Sequence, residues 1–163
     1  MAGSQAAGIV VGVDGTPASR EALVFALREG ALRGSAVEVV TAWAFEGPYD
    51  GQLTQDLIGH ARRNAERAQD EAITAALTTV AAPPLLSRTV VEGAAGPELL
   101  RVAGAAEYLV VGHGHKNIAQ RTLLGSVSRH CVQHAPIPVL VVPEGATTSG
   151  QATQAATPAT AAV

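Results

Sequence analysis

Short runs of valine, isoleucine and leucine recur along this chain at 8–13, 36–43, 85–91, 108–111 and 139–142, and segments of helical spacing separate them. Few architectures accept that alternation. A run that is apolar on both faces reads as a strand buried on both sides, which requires helices above and below a parallel sheet. After the first run, Ala22, Leu23, Ala26, Leu27, Gly30 and Ala31 form one helical stripe. Thr16 is placed to cap that helix, with Pro17 at its first position, where a missing amide does no harm. Between 54 and 77 a long amphipathic helix is expected from Leu57, Ile58, Ala61, Ala65, Ala68, Ala72 and Ala76, and Pro83-Pro84 stops it. Pro97 marks the start of a third helix that buries Leu99, Leu100, Val102, Ala103 and Ala106, and a fourth is expected over 127–134. Five strands alternating with four helices predict an α/β fold with a mostly parallel sheet and right-handed crossovers.

Composition narrows the function classes. At 163 residues and 47% apolar content the chain can bury one core without disulfides or metal. Aromatic residues are only 3%, so Val, Leu, Ile and Ala must fill the interior. A formal charge of -3 carries no basic excess and argues against nucleic acid or an anionic membrane as a general partner. The lone Cys131 excludes an intrachain disulfide and suits a reducing compartment. With no signal-peptide pattern at the start and no apolar run of about 20 residues, a cytoplasmic protein is expected. Residues 1–7 read as disordered, 8–143 as one domain, and 144–163, dominated by Ala, Thr, Gln and Gly, as a disordered tail.

In parallel α/β sheets, ligands bind beyond the carboxyl ends of the strands, where strand order reverses. Asp14 follows the first apolar run and Gly112 ends the fourth. Between Gly112 and Gly125 the chain is polar and basic, and Gly125-Ser126-Val127-Ser128 opens a helix that Ser126 or Ser128 can cap. A strand, a glycine-bounded loop and a helix start make an anion site, because unpaired amides point outward and the positive end of the helix dipole faces the loop. Phosphates of a nucleotide are the expected guest.

With these residues in hand, the chain resembles the universal stress protein family. The likeness rests on Val10-Val11-Gly12-Val13-Asp14-Gly15-Thr16, on Val91-Glu92-Gly93, and on Val110-Val111-Gly112 through Leu124-Gly125-Ser126-Val127-Ser128 to Pro138-Val139-Leu140-Val141-Val142. The resemblance implies a three-layer α/β/α sandwich of the Rossmann-like, adenine nucleotide alpha hydrolase type, with a five-stranded parallel sheet ordered 3-2-1-4-5. It also implies a homodimer that pairs fifth strands. The ATP-binding branch of the family carries G-x2-G-x9-G-[ST]. Gly112 matches its first glycine and Gly125-Ser126 its last pair, but His115 stands at the middle glycine, with Gly114 one position earlier. Either Gly114 substitutes through a local shift, or His115 crowds the site, or His115 with Lys116 favours phosphate by charge. Carried over by position, Val13 and Ala42 border adenine, with Trp43 and Val110 as further wall residues. Asp14 lies by the ribose or a metal. Gly112, Gly114, His115, Gly125, Ser126, Val127 and Ser128 surround the phosphates.

Plainer readings stand beside these. Asp14 can be a turn residue and the glycines turn glycines. His113 with His115, and His130 with His134, have spacings that suit zinc, but the helical pair lies more than a turn from the loop and the loop holds no carboxylate, so no metal site is expected. Cys131 has apolar neighbours at helical spacing and reads as a packed thiol. The Arg62-Arg63, Glu66-Arg67 and Asp70-Glu71 pattern reads as a solvated helix face with i,i+4 pairs. The expected function is a regulatory module in stress response that binds ATP, with Mg2+ as an accompanying ion, and signals to a protein partner. AMP and cyclic AMP are alternative ligands. Hydrolysis should be slow at most, since Asp14 is the one good acid candidate for phosphoryl transfer. A nucleotide-free dimeric interaction protein is the other reading, which His115 favours.

Overall fold

The computed structural model describes residues 8–45, 47, 51–114 and 124–146. Its elements run β1 (Ile9–Gly12), α1 (Pro17–Arg33), β2 (Val37–Trp43), α2 (Gly51–Leu77), β3 (Leu86–Glu92), α3 (Ala95–Ala103), β4 (Tyr108–His113), α4 (Ser126–His134) and β5 (Val139–Pro143). All five strands are parallel, in the order β3-β2-β1-β4-β5, as the resemblance implied. β1 is central, paired Ile9 to Val37 on one side and Ile9 to Tyr108 on the other.

The period of two along each strand divides the core into two layers. Ile9, Val11, Val37 and Val39 pack with Ala22, Leu23, Ala26 and Leu27 of α1 and Ala72, Ile73 and Ala76 of α2. On the opposite face, Val10, Val40, Leu109 and Val111 pack with Leu99 and Ala103 of α3 and Cys131 of α4. This is the expected three-layer sandwich. Leu23 and Leu27 are fully buried, each stabilising the fold by about 1.5–3 kcal/mol relative to an exposed side chain. Gln69, polar but only 1% exposed, was not singled out from sequence. Its Nε2 donates to the carbonyls of Val39 at 3.1 Å and Thr89 at 3.0 Å, which fastens α2 across β2 and β3.

Local chemistry accounts for most element boundaries. Thr16 is the N-cap of α1, with Oγ1 accepting from the Ser19 amide at 3.3 Å, and Pro17 opens the helix. Four expectations shift. Ala31 is exposed on the last turn of α1, where the helix has run past the sheet. Leu57 is 46% exposed, because α2 reaches the sheet through its second half. α2 starts at Gly51, ahead of 54, and α3 at Ala95, so Pro97 is its third residue. The tail expected from 144 yields its first residues to a turn, where the Glu144 amide donates to His113 O at 3.0 Å and the Ala146 amide to Pro143 O at 3.2 Å. Residues 1–7 and 147–163, both read as disordered, lie outside the described residues. Among the described residues no helix is long and apolar enough to cross a membrane.

Candidate functional site

Strand order reverses between β1 and β4, and the carboxyl ends of these strands part there to leave a cleft of about 730 Å³. Gly12, Val13, Asp14 and the first turn of α1 form one wall, and Val40 and Ala42 of β2 extend it. Gly112, His113 and Gly114 at the end of β4 and Leu124 to Arg129 at the start of α4 form the other. Leu99 of α3 lies in the floor and Glu144 at the rim. Nine of the ten principal residues singled out from sequence therefore meet in one cleft, namely Val13, Asp14, Ala42, Gly112, Gly114, Gly125, Ser126, Val127 and Ser128, whereas the further wall residues Trp43 and Val110 do not line it. The tenth, His115, lies outside the described residues.

The ladder orients the wall residues. The Val13 amide donates to Val40 O at 2.9 Å and the Val13 carbonyl accepts from Thr41 Oγ1 at 2.8 Å, so its backbone is engaged within the sheet, while its side chain, 2% exposed, packs in the core layer of α1 and α2. β1 pairing ends at Gly12 opposite Val40. Alternate residues of a strand face the same neighbour, so Ala42 turns its N–H and C=O toward the β1 side, past the end of that strand and over the cleft.

Asp14 is held by the loop around it. Its Oδ1 accepts from Thr16 Oγ1 at 2.6 Å and from the Thr16 amide at 3.0 Å, while the Asp14 amide donates to Ser19 Oγ at 3.3 Å. Burial pushes the carboxyl up, but the Thr16 and Ser19 hydrogen bonds together outweigh it and hold the group below its ordinary value. An ionised acid thus stands at the mouth of the cleft.

The two helices that point their amino ends at this cleft differ. α1 is capped by Thr16. α4 has Gly125 as its N-cap, which offers no side-chain acceptor. Neither serine caps it, contrary to expectation: Ser126 is the first helical residue, and Ser128, 2% exposed, turns its hydroxyl back to donate to Gly125 O at 3.2 Å. The glycines also divide. A Cβ at Gly112 would stand 2.5 Å from the backbone C and O of Ala18, so the residue must be glycine for β4 to approach α1. Gly125 has φ -59 and ψ 163, an ordinary extended conformation, and its Cβ would meet nothing nearer than Ser128 Oγ at 3.6 Å. Nothing in the described protein requires glycine at 125.

Of the other sequence candidates, one reaches the cleft. His113, 8% exposed, ends β4 and lines the cleft. His130 and His134 stack 4.4 Å apart on α4, with His134 Nδ1 2.9 Å from His130 O, and neither lines the cleft. No group of three or more metal-ligating side chains occurs among the described residues. Cys131 is fully buried, and burial pushes its thiol up, as befits packing. Glu144, Ser19 and Thr41 escaped the sequence reading. Glu144 alone left a signal: it directly follows the fifth apolar run, whose carboxyl end lies beside that of the fourth.

Comparison with known proteins accords with this geometry. A sequence model described as the universal stress protein family matches residues 8–143. The chain belongs to the universal stress protein family. A universal stress protein of Mycobacterium tuberculosis is 32% identical over 154 residues, covering 84% of this chain and 48% of the relative. A second from that organism is 31% identical over 147 residues, covering 86% and 48%. The chain thus spans about half the length of the curated relatives it matches. Among solved structures, universal stress protein UspA from Lactobacillus plantarum superposes with a TM-score of 0.69 at 19% identity, over 85% of this chain and 99% of that one. A universal stress protein in complex with cAMP gives 0.62 at 24% identity, over 86% and 99%. A universal stress protein family protein from Arabidopsis thaliana with AMP bound gives 0.56 at 17%, over 87% and 94%. At these identities the structural likeness establishes the fold.

Proposed function

We propose that this universal stress protein is a regulatory module that binds an adenine nucleotide in the cleft between β1 and β4. The observation that carries the reading is the open amino end of α4: a glycine N-cap with room beside it, aimed at the same cleft as Asp14. Free amides and the positive end of the helix dipole bind phosphate there. Gly112, Gly114, Gly125, Ser126, Val127 and Ser128 border the phosphates, Asp14 accepts from the ribose hydroxyls, and Val13 with the backbone of Ala42 borders adenine. Support for adenine comes from the ligands bound in the fold neighbours, cAMP and AMP. ATP, with Mg2+, is the ligand that the G-x2-G-x9-G-[ST] resemblance points to. With Asp14 engaged at the ribose, hydrolysis is slow at most. The lone cysteine supports a cytoplasmic location.

Calorimetry with ATP, AMP and cyclic AMP tests the reading. Binding by the parent, lost by at least tenfold in both Asp14→Ala and Gly125→Val, is the expected result; unchanged affinity in the two variants sinks the site assignment. The second reading, a nucleotide-free interaction protein, rests on His115 in place of the middle glycine. Under it the parent binds nothing and His115→Gly creates ATP binding. Either form is proposed to dimerise through β5, which has β4 as its neighbour on one side and the sheet edge on the other. The dimer is then the surface read by a protein partner.

A further inference from the structure

The turn after β5 brings a carboxylate to the rim of the cleft, and its backbone is fastened on three sides. The Glu144 amide donates to His113 O at 3.0 Å, and the Ala146 amide to Pro143 O at 3.2 Å. Between them the Gly145 amide donates to the Glu21 carboxylate of α1, 2.9 Å from each oxygen, with Gly145 at φ 89, a left-handed conformation that glycine adopts without strain. So held, Glu144 lines the cleft and lays Oε2 3.6 Å from where a Cβ on Gly114 would stand. Gly114 belongs to the glycine loop that the nucleotide reading assigns to phosphate, and Asp14 already supplies one negative charge to the same cleft. Arg129, exposed like Glu144, lines it too from the first turn of α4 and carries the opposite charge.

We propose that Glu144 is a specificity-determining residue that grades ligands by phosphate charge. A carboxylate at the phosphate wall, carried on a turn whose backbone is fastened, disfavours the tetra-anionic triphosphate, admits it when a divalent cation neutralises the chain, and leaves a singly charged cyclic or lightly charged monophosphate nucleotide little affected. The inference rests on the nucleotide reading above. One unit charge about 6 Å from a carboxylate at a half-solvated rim changes affinity by roughly tenfold, an effect that salt weakens; the outer phosphates of the triphosphate reach the Gly114 wall, whereas a cyclic phosphate closed onto the ribose stays back beside Asp14.

Calorimetry at low ionic strength decides it, comparing the parent with Glu144→Gln, an isosteric change at an exposed position. The titrants are ATP in EDTA, ATP with excess Mg2+, and cyclic AMP. Expected is a gain of about tenfold in metal-free ATP affinity for the variant, a smaller gain with Mg2+, and less than twofold for cyclic AMP. A second variant, Glu21→Ala, releases the turn and should reduce the effect of Glu144→Gln. Equal changes for ATP and cyclic AMP, or weaker ATP binding in Glu144→Gln, overturn the proposal while leaving the nucleotide site standing. Failure of all titrants to bind either protein overturns the nucleotide reading, and this inference with it.

Discussion

Single residues at this cleft separate into those the fold needs and those it does not. Gly112 belongs to the first kind, because β4 and α1 touch through it. Gly112→Ala should destabilise by about 1–3 kcal/mol through overpacking, visible as a lower denaturant midpoint. Gly125→Val should cost about 1 kcal/mol or less, as a change of N-cap, yet abolish nucleotide uptake. Equal stability losses would erase the distinction between packing glycine and ligand glycine. Asp14 carries a signature in pH. Its carboxyl titrates below the ordinary value in the folded chain, so the stability it contributes is fully present above the unfolded pKa and is lost as pH falls through the lower folded one. Thermal melts from neutral to strongly acidic pH should show Asp14→Asn less stable than the parent at neutral pH, with the gap closing only in acid. A constant gap would mean that Thr16 and Ser19 do not hold the ionised form.

At the scale of elements, an edge strand can be tested without disturbing the sheet. Leu109 donates to Pro138 O and Glu144 to His113 O, so even-numbered residues of β5 face β4, while Val139 and Val141 turn their amides outward. Val141→Pro removes an outward amide and no β4 hydrogen bond, a substitution that edge strands tolerate. If the proposed β5 dimer forms, sedimentation should show it converted to a monomer that retains its far-ultraviolet spectrum; an unchanged dimer places the contact elsewhere, and a monomeric parent overturns the proposed pairing. α2 depends on one buried amide in a similar way. Gln69→Ala should cost about 1–3 kcal/mol, since two carbonyls lose their donor and a cavity opens, measured by chemical denaturation.

For the whole molecule, a nucleotide bound across β1, β2, β4 and α4 links parts of the chain remote in sequence, so binding should stabilise the fold as a unit. At a ligand concentration one hundred times Kd the gain is about 2.7 kcal/mol, a rise of roughly 5–10 °C in Tm for a domain of this size. Two-state melts with and without ATP, AMP or cyclic AMP measure it.

Much of this architecture was legible before any coordinates. The apolar runs marked the five strands because a parallel strand is buried on both faces, and Thr16-Pro17 marked the start of α1 because caps are local chemistry. Glycines with adjacent serines pointed to α4 because helix starts have short signatures, although the cap fell to Gly125. Those features depend on residues a few positions apart, and sequence carries them directly. What needed tertiary structure lies in pairs far apart along the chain. That Ala31 and Leu57 face water depends on where each helix overruns the sheet. Gln69 is buried because α2 crosses β2 and β3, and Glu144 reaches Gly114 because β5 lies beside β4. The amino acids by themselves determined the elements, their order and the family. Only the packing of distant strands decided which side chains share the cleft, since contact there is set by sheet topology rather than by spacing.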